Sequence, residues 1–138
     1  MKLTDELRNS LLETSREVRR YAYVPYSNYH VGAALLTSSG KIYDGVNIEN
    51  VSYGATVCAE RVVTFKAVSE GEREFAALAV ATATGGFPCG LCRQVLAEFG
   101  PDMIILATNE DGSRVEEALL SDLLPGAFTP TVLSEATS

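Results

Sequence analysis

The sequence predicts an α/β fold, a mixed sheet covered by helices on both faces. Three observations carry this. Segments with helical and strand patterns alternate after Val57. Phe75 to Ala83 and Met103 to Ala107 are continuous apolar runs, the pattern of strands buried on both faces. Upstream, Val31 to Thr37 and Ile42 to Ile48 flank Ser38, Ser39 and Gly40, which reads as a β-hairpin.

The elements follow in order. Thr4 is a candidate N-cap, with Asp5 and Glu6 at the positive end of the helix dipole. Leu3, Leu7, Leu11 and Val18 then share one face, and the pattern breaks before Pro25. Thr56 to Val68 reads as a helix ending near Gly71. Gly90 to Phe99 reads as another, stopped by Gly100 and Pro101. After a turn at Asp111 and Gly112, Glu116 to Leu124 is expected to be a short terminal helix. No linker, repeat or low-complexity stretch divides residues 1–138, so one domain is expected throughout.

Composition narrows the function. The chain has 46% apolar and 21% charged residues, ordinary for a globular protein. Its formal charge of −7, from 18 acidic and 11 basic residues without a basic run, argues against a phosphate backbone as main partner. A small neutral or cationic ligand is expected instead. Met1 to Arg20 lacks the apolar stretch of a signal peptide, and the apolar runs are too short to cross a bilayer. A cytoplasmic location is therefore expected, where thiols stay reduced. Three cysteines cannot all pair within one chain, and their spacing suggests metal or catalysis before disulfides.

The chemistry concentrates in Cys58-Ala59-Glu60 and Pro88-Cys89-Gly90-Leu91-Cys92. A Cys-x-x-Cys pair at a helix start presents two thiols to one point. All three cysteines are expected in first turns of helices, where the dipole favours thiolate, the form zinc needs. Three protein ligands leave one tetrahedral position open, which marks a catalytic zinc and brings the pKa of bound water to about 7. Glu60, two residues after a ligand, reaches that open position without ligating, and is placed to move protons between water and nitrogen. The signature and its chemistry, attack on C4 of cytosine or C6 of adenine with loss of ammonia, are those of the zinc deaminases. The competing readings are weaker. A redox pair needs neither Cys58 nor Glu60, and a structural zinc site wants a fourth ligand. The only histidine, His30, reads as a residue of the first strand outside any ligand pairing.

These residues, with YSNYHVGAALLT, NIENVSYGATVCAER, FKAVSEG, PCGLCRQVLAEFG and LLPGAF between Tyr26 and Phe128, resemble the small homotetrameric cytidine deaminases of nucleoside salvage. The resemblance implies a three-layer α/β/α sandwich with a five-stranded mixed sheet, and active sites built where subunits meet. It puts Cys58, Cys89 and Cys92 on zinc, with Glu60 as acid and base. It puts Asn47 and Glu49 on the ribose hydroxyls and Ala59 backbone groups on the base. Tyr29 falls where the family usually has phenylalanine in the pyrimidine pocket. Phe128 matches an aromatic lent to a neighbouring subunit. Arg61 matches a residue credited with withdrawing charge from the sulfurs, and Arg93 is a second candidate. Phe87 replaces a common serine, and the loop from Thr84 to Phe87 is short.

The implied activity is zinc-dependent deamination of cytidine and deoxycytidine, in which zinc hydroxide attacks C4. No nucleic-acid or membrane partner is expected. A blasticidin-type deaminase shares the zinc residues but is disfavoured by the Asn47 and Glu49 pair. A nucleic-acid-editing deaminase is disfavoured by the charge, and a non-catalytic zinc module by Glu60.

Overall fold

The computed structural model describes residues 2–137. Its centre is a five-stranded mixed sheet in the order β2-β1-β3-β4-β5. The strands are β1 (Gly32–Thr37), β2 (Ile42–Val46), β3 (Phe75–Ala81), β4 (Ile104–Thr108) and β5 (Val115–Leu119). Strands β3 and β4 run parallel; the pairs β1–β2, β1–β3 and β4–β5 are antiparallel.

Helix α1 (Asp5–Val18) covers one face, and α2 (Ala59–Ser69), α3 (Gly90–Ala97) and the single turn α4 (Leu120–Leu123) cover the other. The side-chain alternation of the strands divides the core accordingly. Ala34, Leu36, Ala77, Ala79 and Leu106 meet Leu11 and Leu12 of α1. Ala33, Leu35, Leu78, Val80 and Ile105 meet Ala59, Val63 and Leu96 on the other side. The three-layer architecture is thus the expected one, and both faces of β3 are apolar because both are covered.

Two glycines set how closely the layers approach. A Cβ on Gly32 would lie 2.1 Å from the Ser15 carbonyl oxygen, so α1 rests directly on the β1 backbone. A Cβ on Gly45 would lie 2.8 Å from the Val63 nitrogen, bringing α2 against β2 in the same way. Thr4 caps α1 as expected, its Oγ1 accepting from the Leu7 N–H at 3.2 Å.

Three expectations are corrected. The helix expected from Glu116 to Leu124 is the edge strand β5 followed by α4. Pairing with β4, from Thr108 opposite Val115 to Ile104 opposite Leu119, overrides the helical preference of Glu-Glu-Ala-Leu. The helix expected from Thr56 begins only at Ala59, because Val57 and Ile48 exchange two backbone hydrogen bonds at 3.0 Å that hold the chain extended. His30 precedes β1 instead of lying in it; its Nδ1 lies 3.2 Å from the Asn28 carbonyl. A fifth helix, α5 (Pro130–Thr137), was not anticipated. Among the described residues no helix is long and apolar enough to cross a membrane.

Candidate zinc centre and active-site pocket

The parallel arrangement of β3 and β4 sends the chain back through α3, so the N-terminus of that helix opens at the C-terminal end of β3. The N-terminus of α2 opens at the same end. Cys58 and Cys89 occupy the residues immediately before the first turns of α2 and α3, both extended, and Cys92 lies within the first turn of α3. Only Cys92 is therefore inside a helix, a refinement of the sequence expectation. All three remain at the N-terminal ends of helices.

The three Sγ atoms lie within 4.8 Å of one another, and Cys89 and Cys92 are 3.4 Å apart. Three soft sulfur donors converging on one point suit zinc. Around them the Cys92 thiol donates toward Cys58 and, with Arg61, draws the Cys58 pKa down to about 5. Cys92 moves the other way, held as a thiol by that hydrogen bond and by burial. Arg61 Nη2 is 3.6 Å from Cys58 Sγ, and its Nε is buried with no hydrogen-bond partner among the described residues. A guanidinium held against sulfur in this way fits a cluster that gathers negative charge when metallated.

Beside the sulfurs is a pocket of about 250 Å³. Cys58, Ala59, Glu60 and Cys89 reach it from the two helix starts, Tyr29 from the segment before β1 and Asn47 from the residue after β2. Glu60 is 6% exposed, and burial pushes its carboxyl up to about 7, with the neighbouring Cys58 adding to the shift. A carboxyl so placed exchanges a proton readily near neutral pH.

Asn47 is a brace as well as a lining residue. Its Oδ1 accepts from the Val31 N–H at 3.0 Å and its Nδ2 donates to the Tyr29 carbonyl at 2.8 Å. One lone pair and one N–H are left for a ligand. Glu49 lies in an adjoining hollow that shares Thr56 with the pocket. Its carboxylate accepts from the N–H groups of Tyr26 (3.0 Å) and Ser27 (3.1 Å) and from the Ser27 hydroxyl. That hydroxyl, before the backbone bonds, holds the Glu49 pKa below the usual carboxylate range.

Two residues lie elsewhere. Arg93 does not reach the sulfurs: Nε donates to the Pro88 carbonyl at 2.6 Å and Nη1 to that of Leu123 at 2.7 Å, pinning the Pro88 turn to α4. Phe128 is outside the pocket lining and 59% exposed. Conversely, Val31, Thr56, Val80 and Thr82 line the pocket without having been singled out. Thr82 was findable in principle, since ligands of α/β sheets gather beyond the carboxyl ends of the strands.

The sequence matches the family model of the cytidine and deoxycytidylate deaminase zinc-binding region over residues 5–108, a span that holds all three cysteines. It is 53% identical over 129 residues to a protein named cytidine deaminase from Sporosarcina psychrophila, covering 91% of this chain and 94% of that one. A second protein of that name, from Halalkalibacterium halodurans, is 50% identical over 125 residues, 88% of this chain and 94% of the other. The crystal structure of cytidine deaminase from Burkholderia pseudomallei superposes with a TM-score of 0.82 at 46% identity, over 87% of this chain and 98% of that one.

Proposed function

The chain belongs to the cytidine and deoxycytidylate deaminase family, whose cofactor is zinc, and on that premise we propose that it hydrolyses cytidine and deoxycytidine to uridine and deoxyuridine with release of ammonia. The observation that carries this is the meeting of three convergent thiols and a buried carboxyl of raised pKa in one small pocket.

Cys58, Cys89 and Cys92 would hold the zinc ion. When bound there, zinc polarises a water and brings its pKa to about 7. Glu60 would take a proton from the attacking water and deliver it to N3 of the pyrimidine, which makes C4 electrophilic. The water oxygen bonds to C4. Glu60 then passes the second proton to the 4-amino nitrogen, the C4–N bond breaks, and ammonia leaves. Balance is kept: one water enters, and oxygen replaces nitrogen on C4. Burial of Glu60 excludes bulk water from this relay and keeps its pKa close to the working pH. Tyr29 lines the base pocket and backbone groups of Ala59 address the base. Asn47 and Glu49, each with hydrogen-bonding capacity left over from its brace, hold the ribose hydroxyls. Phe128 completes a neighbouring subunit's pocket in a homotetramer, and the enzyme works in the cytoplasm in pyrimidine salvage.

The test is ammonia release and loss of cytidine absorbance by zinc-loaded wild type and Glu60→Gln. The variant should retain zinc and lose at least about 10²-fold in kcat, the usual weight of a general acid–base group. Absence of cytidine and deoxycytidine turnover in the wild type would overturn the reading. Turnover confined to a polynucleotide would replace it with an editing activity.

A further inference from the structure

The pocket wall contributed by the loop before α3 differs in character from the rest of the site. Phe87 lines the pocket and also packs against the core beneath it. Its loop is held on both flanks. On one side the Gly85 N–H donates to Thr82 Oγ1 at 2.8 Å, and the Thr82 N–H donates to the Thr108 carbonyl at 3.1 Å. Gly85 turns there with φ +89°, a conformation that favours glycine. On the other side Arg93 grips the Pro88 carbonyl. Thr82, which accepts the Gly85 bond, is itself buried. The chain on both sides of Phe87 is therefore held, and its ring rests on the core.

The chemistry of the base says what faces it. This step rests on the proposed function, in which C4 lies at the sulfur cluster and Glu60 serves N3. The two ring neighbours of C4 are N3 and C5. Helix α2 brings Cys58 and Glu60 to the cluster, and the loop before α3 brings Gly86, Phe87 and Cys89. With N3 turned toward α2, C5 is turned toward that loop.

We propose that Phe87 sets specificity at position 5 of the pyrimidine: its anchored ring closes the pocket over C5–H and excludes 5-substituted cytosines. In a pocket of about 250 Å³ whose wall is anchored on both flanks, an added methyl must displace packed atoms. One methyl group in a tight apolar site changes kcat/KM by about 10- to 200-fold.

The experiment compares cytidine with 5-methylcytidine as substrates for zinc-loaded wild type, Phe87→Leu and Phe87→Ser. Wild type should favour cytidine by at least about tenfold in kcat/KM. The preference should shrink about tenfold or more in Phe87→Ser, with Phe87→Leu between them. Each preference is a ratio within one preparation, so partial loss of folded protein in a variant cancels. Calorimetric titration with the products, uridine and 5-methyluridine, should show the same ordering in affinity without any turnover. A wild-type ratio near one, or a ratio and product discrimination unchanged across the three proteins, would overturn the proposal. Failure of the underlying function is distinguishable: the wild type then turns over neither nucleoside, and the proposal falls with it. Failure of this proposal alone leaves cytidine turnover intact.

Discussion

At the sulfur cluster, three thiolates on a divalent cation carry net negative charge, and Arg61 is placed to withdraw some of it through its 3.6 Å contact with Cys58. Arg61→Ala should keep the fold and lower kcat about tenfold or more, measured at matched zinc content. Glu49 makes a separate prediction about pH. It ionises more readily folded than unfolded, because Ser27 and Tyr26 donate to its carboxylate. The stabilisation is complete above the ordinary glutamate value of about 4.3 and is lost as the pH falls through the lower folded value. The difference in Tm between wild type and Glu49→Gln should therefore be full at neutral pH and shrink on acidification below about 4.3. The three convergent cysteines and the buried glutamate beside them were legible because Cys-x-x-Cys and Cys-Ala-Glu report their spacing directly. The bracing done by Asn47 was not. Its partners, the Val31 N–H and the Tyr29 carbonyl, are 16 and 18 residues away and are backbone atoms that no side-chain pattern reveals. For Arg93 the pattern misled, since neighbouring Cys92 in sequence does not aim its guanidinium at the sulfur.

Among the elements, the packing of α1 on β1 is the most exacting contact. Gly32→Ala puts a methyl group 2.1 Å from the Ser15 oxygen, far inside van der Waals contact, so the helix must move off the sheet. Denaturant unfolding should show a loss of about 2 kcal/mol or more, the upper range of overpacking, and kcat in the surviving folded fraction should change little by comparison. The hairpin, both buried strands and the three main helices were legible from apolar periodicity, with ends displaced by a few residues. Strand β5 was not. Its exposed glutamates and alanine favour helix locally, and only the ladder with β4 makes it a strand. The late start of α2 has the same cause: a long-range bridge between Val57 and Ile48 that local preference does not report.

At the scale of the whole molecule the prediction concerns assembly. Phe128 is 59% exposed and lies outside the lining of the pocket beside the sulfurs. If it completes a neighbour's site, sizing should give a homotetramer, and Phe128→Ala should raise KM for cytidine with zinc content unchanged. A fully active monomer would contradict this. Sequence resemblance supplied the expectation of a shared site, since a single chain's periodicity carries no information about its neighbours. The layered sheet has one more consequence. The pocket lies beyond the carboxyl end of β3, whereas the Ser38-Ser39-Gly40 turn meets the other end, where Thr37 pairs with Phe75. Seven residues of strand, about 20 Å, separate the two poles. A reporter dye or a solid support attached at that turn would thus hang from the far side of the sheet, leaving the mouth of the pocket open to solution.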